Sequence, residues 1–179
     1  MSDGPHSVGG VGDLLTFTLG PRRGLVRGTR ATDRYEQARA LEARDPDAAM
    51  ALYRRAIAGQ MDLADAHNNL GRLHHDRGEL ADAEGCYRVA ICIDAQVALY
   101  WFNLGVAVED QGRQAEAIAA YERAIELGGD AAICADAHFN VARLLELGGR
   151  RADDELLIRR AVRHLVRYRD LVRAGGRAG

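Results

Sequence analysis

Displaced by 34 residues, this sequence matches itself. Leu70-Gly71, Gly78, Ala83, Tyr87, Ala90 and Ile91 return as Leu104-Gly105, Gly112, Ala117, Tyr121, Ala124 and Ile125. One step earlier the pattern keeps Ala49, Tyr53, Ala56 and Ile57. Further on, Ala64-Asp65-Ala66-His67 returns as Ala135-Asp136-Ala137-His138, and Gly78 as Gly149, at an offset of 71, two periods plus three. A period near 34 narrows the fold sharply. A unit this short cannot bury its own apolar face, and a stack of helix pairs buries a continuous core between neighbours.

Composition agrees. The chain has 179 residues and is 47% apolar, room for about four such units plus tails. The apolar residues are mostly Ala and Leu with few aromatics, a mix for small-residue helix packing and not a sheet sandwich. The net charge of -2 creates no global field for nucleic acid or an acidic membrane. Every one of the 24 basic residues is arginine, a bias that fits the codon usage of a GC-rich bacterial genome as well as a taste for planar, bidentate partners. Cys86, Cys92 and Cys134 form no CxxC pair, so they read as small apolar residues in a reducing compartment and not as a disulfide frame or zinc site. No apolar run approaches the ~20 residues of a membrane span, and no signal pattern opens the chain. The expectation is a soluble, cytoplasmic protein.

Residues 1–29 stand apart, rich in glycine and without a period. They read as a flexible tail, with a short apolar segment at Leu14 to Leu19 that touches the array and a basic end at Arg22, Arg23, Arg27 and Arg30. Gly9-Gly10-Val11-Gly12 lacks the preceding strand and following Gly-Lys-Ser/Thr of a phosphate loop. From Thr32 the signals are helical. Asp33 and Glu36 have capping-box spacing, and Asp45-Pro46 restarts a helix with proline in the first turn. Gly78, Gly112 and Gly148-Gly149 suit left-handed positions past helix ends. Eight helices are expected, over about 33–44, 47–58, 63–77, 80–93, 97–111, 114–127, 131–147 and 151–173. The three extra residues fall between Leu127 and Ala135, where Asp130 reads as an N-cap, so the insertion adds nearly one turn to the seventh helix; a longer loop would absorb it as well.

These residues resemble the tetratricopeptide repeat family. Unit 98–131 carries Trp101, Leu104-Gly105, Ala117, Tyr121 and Ala124, and unit 64–97 carries His67, Leu70-Gly71, Ala83, Tyr87 and Ala90. The unit around 132–168 is weaker, with Val141-Ala142 for Leu-Gly, and the one around 30–63 keeps only its second-helix residues. The proline that usually closes a unit is missing. The resemblance implies an all-α, right-handed α-solenoid of about four helix-turn-helix units over 30–174, with a capping last helix and a short tail at 175–179.

In this family the first helix of each unit lines a concave face that receives a peptide or partner segment. The resemblance places Asn68, Asn69, Arg72 and His75 there, then Phe102, Asn103, Val106 and Glu109, then Phe139, Asn140 and Arg143. Asn69, Asn103 and Asn140 all precede the Leu-Gly position, and an amide pairs with a peptide backbone of any sequence because it both donates and accepts. They read as a ladder or as residues that merely suit the helix surface. Rungs one or two helix spacings apart, roughly 10–20 Å, would each serve three to six residues of an extended peptide at about 3.3 Å per residue. If it is a ladder, replacing all three should weaken capture without lowering stability. Arg72 and Arg143 resemble a carboxylate clamp only in part, because Glu109 and Asp110 lie between them. Phe102 and Phe139 would serve as apolar anchors.

No catalytic constellation, cofactor motif or metal set stands out. His67 and His74 fall at packing positions, and Cys86 and Cys92 are six apart, not the three or four that share a ligand. Asp153-Asp154-Glu155 reads as an acidic first helical turn. The arginines of the last helix read as the polar outer face of a terminal unit, with an anionic partner as the alternative. The expectation is a non-catalytic scaffold for another protein or peptide, with no membrane partner and self-association possible at the imperfect first unit. The alternative is a regulatory array working with a DNA-binding transcription regulator.

Overall fold

In the computed structural model, residues 24–60 and 62–176 are described, with side chains from Arg30 onward. They form eight helices: α1 (Gly24–Leu41), α2 (Pro46–Gly59), α3 (Ala64–Asp76), α4 (Leu80–Ile93), α5 (Ala98–Asp110), α6 (Gln114–Leu127), α7 (Ala131–Ala152) and α8 (Glu155–Gly175). Each odd-numbered helix pairs with the next to make a unit, and each unit packs on its neighbour through α2–α3, α4–α5 and α6–α7. The result is an α-solenoid of four helix pairs. The expected segment Leu14 to Leu19, the glycine run and residues 177–179 lie outside the described residues.

The repeated residues work as their types demand. A Cβ at Gly71 would stand 2.8 Å from Tyr87 Cε1, and one at Gly105 only 2.6 Å from Tyr121 Cε1. Both glycines therefore admit the tyrosine of the partner helix against bare backbone. Tyr53, Tyr87 and Tyr121 are all buried, with Ala49, Ala83 and Ala117 beside them in the sequence pattern. Past α3 and α5, Gly78 and Gly112 hold φ of 73° and 79°. The Glu79 and Arg113 amides then reach back to the carbonyls of His74 and Val108, both at 3.0 Å, closing the helix end. Asp45 caps α2 by accepting from the Ala48 amide at 3.0 Å, with Pro46 in the first turn.

Three boundaries differ from expectation. First, α1 begins at Gly24, nine residues before the expected Asp33 cap, so residues 24–29 are helical. Asp33 and Glu36 are exposed mid-helix residues. Asp costs under about 1 kcal/mol inside a helix, and the continuous helix buries Ala31 completely, with Gly59 of α2 beside it. Second, α7 runs on through Gly148-Gly149. A Cβ at Gly149 would meet Ile158 Cγ1 at 2.8 Å and the Asp154 carbonyl at 3.1 Å, so this glycine permits a close helix crossing and does not end the helix. The left-handed residue is Asp153, at φ 54°. Third, Asp154 is the N-cap of α8, accepting from the Leu156 and Leu157 amides. Asp153 thus ends one helix and Asp154 begins the next. The insertion is helical as expected: Asp130 accepts from the Ala132 amide at 2.9 Å, and α7 continues unbroken through Cys134 to Ala135.

Candidate functional site

The first helices of the units are laced to one another by polar bonds spanning about one repeat. From α3 to α1, the Asn69 amide donates to the Tyr35 hydroxyl at 3.4 Å; it also donates to the Tyr53 hydroxyl of α2 at 3.2 Å. Its oxygen accepts from Asn68 at 3.2 Å. Between α3 and α5, Asn103 donates to the Asn68 oxygen at 2.8 Å and the Tyr100 hydroxyl to Asp65 at 2.6 Å. His75 pairs with Asp110 at 2.8 Å.

A second device appears twice. Tyr53 donates to Glu42, and the other oxygen of Glu42 takes Arg72 of the next unit. Tyr121 donates to Glu109 at 3.0 Å, and the other oxygen of Glu109 takes Arg143 of the next unit. Burial pushes the Tyr53 and Tyr121 hydroxyls well above their ordinary value, and the carboxylates they face push in the same direction. One repeat after Arg72 stands Val106, and one repeat before Glu109 stands His75, so the middle junction has no such latch.

These bonds sort the expected site residues. Asn68 is only 3% exposed and joins two units instead of lining open groove. Asn69 has all its evident bonding directed inward, and Asn103 has one donor committed. Replacing all three ladder residues without loss of stability is therefore not to be expected: at Asn69 alone, two tyrosine hydroxyls and Asn68 would lose a partner, about 1–3 kcal/mol. Arg72 and Arg143 are both neutralised by glutamates. Phe102 is half-buried against Tyr121, ring centroids 5.6 Å apart, and Val106 packs partly buried on the core.

Asn140 differs. Its side chain makes no hydrogen bond among the described residues and is only partly covered. Asn103 bonds the oxygen of Asn68, and the position that corresponds to Asn68 in the following unit is Phe102, which offers no acceptor. Beside Asn140, Phe139 is 43% exposed and rests on Tyr168 with centroids 5.3 Å apart.

Buried Glu84 accepts from Arg113 at 2.7 Å and Gln111 at 2.8 Å and pairs with Arg88. Burial would raise its carboxyl, but the Arg113 and Gln111 bonds and the Arg88 charge outweigh that and hold it below the ordinary value. The outer face of α8 is less polar than expected of a terminal helix: Val162, Leu165, Val166 and Val172 are exposed on it. One set of three metal-type donors occurs among the described residues, His74, Glu79 and Asp82. His74 Nδ1 already bonds Glu79, and the Arg54 guanidinium lies 3.4 Å from its Nε2, a cation that opposes a metal there. No helix among the described residues is long and apolar enough to cross a membrane.

Tetratricopeptide repeat signatures match residues 35–96 and 98–131, more than half of the chain. The chain belongs to the tetratricopeptide repeat family. No curated protein matches its sequence. Among solved structures, the repeat array is similar to MamA, with a TM-score of 0.72 and 18% identity over 82% of this chain and 81% of that one. The Sgt2 TPR domain from Aspergillus fumigatus gives 0.60 and 22%, over 66% and 81%. The first TPR domain of Spaghetti (RPAP3), bound to the HSP90 peptide SRMEEVD, gives 0.55 and 19%, over 56% and 81%. At these identities the similarity bears on the tetratricopeptide fold alone.

Proposed function

We propose that this repeat array is a non-catalytic interaction module that seats an extended segment of a partner protein in its concave groove, with the main contacts on α5 and α7. One observation carries the reading. On α3, Asn68, Asn69, Arg72 and His75 are all engaged by bonds to a neighbouring unit, whereas Asn140 keeps an unbonded side-chain amide next to the exposed ring of Phe139. An amide of that kind pairs with a passing backbone, and the ring supplies an apolar anchor. The Glu42–Arg72 and Glu109–Arg143 pairs disfavour a simple carboxylate clamp, because a partner's terminus would have to compete with a bound glutamate. The similarly folded Spaghetti domain bound to an HSP90 peptide supports a peptide as the class of ligand.

The test is affinity capture followed by mass spectrometry, with Asn140→Ala and Phe139→Ser beside the unaltered chain. Asn140→Ala breaks no internal hydrogen bond, so its melting temperature should stay put while the captured partner is depleted. Undiminished capture by both variants would refute the groove assignment.

A further inference from the structure

At the edge of the groove, where α3 begins and α4 ends, lies a cavity of 560 Å³, within the size range of small ligand pockets. Its lining combines the apolar side chains of Leu63 and Ile93 with the carboxylates of Glu36, Asp62, Asp65 and Asp94. Their negative charge is largely unanswered. Glu36 has Arg39 at 3.6 Å, but Asp62, Asp65 and Asp94 form no salt bridge among the described residues. Asp65 and Asp94 accept only from neutral donors, the Tyr100 hydroxyl and the Gln96 amide. The Tyr35 hydroxyl in the same wall is held above its ordinary value by burial and then by the charge of Asp65. A lining that joins apolar side chains to carboxylates mostly without cationic partners selects a ligand that carries both apolar side chains and positive charge.

The chain itself contains that pattern. Leu14, Leu15, Phe17 and Leu19 are followed by Gly20-Pro21 and then Arg22-Arg23, with no acidic residue from Leu14 to Arg23. We propose that the segment 14–23 docks in this cavity within the same chain, its apolar side chains on Leu63 and Ile93 and its arginines against the carboxylates.

Chain length permits it. From Gly24 to Thr32, the nearest cavity residue on α1, is eight residues of helix, about 12 Å. The five residues from Leu19 to Gly24 span up to roughly 17 Å when extended, and those from Leu14 up to roughly 35 Å. The exposed apolar face of α8 lies four helix spacings away through α3, α5 and α7, roughly 32–40 Å at 8–10 Å each, and its valines alternate with exposed Arg159, Arg163, Arg167 and Arg169, which repel a basic segment. The apolar cavity between α2 and α4, with Leu70 and Val89 in its wall, is nearer but has a single carboxylate, Asp82, opposed by Arg54.

A photocrosslinking experiment on the full chain tests this. With p-benzoylphenylalanine in place of Phe17, irradiation of the monomer should join residue 17 to the segments 62–65 and 93–100 of its own chain. Ile93→Asp in that background should cut the yield about tenfold, the factor given by ~1.4 kcal/mol of binding free energy. Arg22→Glu with Arg23→Glu, which leaves the described repeats unaltered, should also lower the yield. Crosslinks to the cavity of Leu70 and Val89, crosslinks only between chains, or an unchanged yield in both variants would overturn the proposal. A changed yield bears on this docking alone, whereas partner capture by Asn140→Ala bears on the groove.

Discussion

Two glycines inside helices of this array should respond to alanine with opposite signs. Gly85 lies in α4, exposed, with nothing within 4 Å of where a Cβ would stand. There alanine brings only its better helix propensity, about 0.8–1.0 kcal/mol. Gly105 lies in α5, where an added Cβ would stand 2.6 Å and 2.7 Å from two ring atoms of Tyr121. Restoring an ordinary 3.4 Å contact requires the ring to retreat by roughly 0.8 Å. It has little freedom to do so, since Tyr121 is 1% exposed, packs on Phe102 and donates to Glu109. Overpacking of this kind costs about 1–3 kcal/mol, and loosening the Tyr121–Glu109 bond adds about 0.5–1.5 kcal/mol. Against these stands the same propensity gain of about 1 kcal/mol. Gly105→Ala should therefore lose about 0.5–3.5 kcal/mol net. Thermal melts followed by circular dichroism resolve this, because 1 kcal/mol moves the midpoint by about 2–4 °C in a chain of this length. If Gly105→Ala melts at or above the unaltered protein, the close helix approach is not what the glycine provides. If Gly85→Ala melts below it, helix propensity does not govern that site.

Two electrostatic predictions follow from buried groups. Glu84→Gln should lose about 2 kcal/mol, below the 3–5 kcal/mol of a fully buried broken pair because Arg113 and Arg88 are partly exposed. Since the folded Glu84 carboxyl is held below its ordinary 4.5, its contribution is complete above that value and lost as the pH falls through the folded value, so the melts of the two proteins should stay apart down to that pH and converge only below it. His138 and His164 meet Nδ1 to Nδ1 at 2.9 Å; burial lowers both, aided at His138 by His164 and Arg167 and at His164 by Arg160 and Arg163 against an opposing Glu122. A lowered histidine favours the fold fully above 6.5 and ceases to do so as the pH drops through its folded value, so the melting temperature should fall between about pH 7 and 5, and His164→Asn should flatten that slope; an equal slope would refute it.

The repeat was legible because its demands are local. Gly71 and Gly105 must lack a side chain where a tyrosine packs, and Gly78 and Gly112 must turn left after a helix. Asp130 announced the helical insertion for the same reason, through its bond to Ala132. Expectation and structure part where a distant partner decides. Asp33 has the chemistry of a cap, but the burial of Ala31 against α2 carries the helix past it. Gly149 looks like Gly78 in sequence, but α8 crosses so closely that the glycine stays helical and Asp153 makes the turn. The outer face of α8 mixes valines with arginines, and which of them meet solvent depends on how α7 lies against it.

The asparagines show most clearly why matching positions did not mean matching roles. Asn69, Asn103 and Asn140 share one place in the repeat, yet what each does is set by the residue one unit earlier: Tyr35 for the first, Asn68 for the second, and Phe102 for the third. Two of those neighbours accept a hydrogen bond and one cannot. The same step accounts for the latch, which needs a glutamate in one unit and an arginine in the next and fails where His75 and Val106 stand instead. In a solenoid the groove is made by first helices that touch only through such junctions. Its free binding groups are those the junctions leave over, and at the last junction Phe102, standing where the preceding unit has an asparagine, leaves over the amide of Asn140.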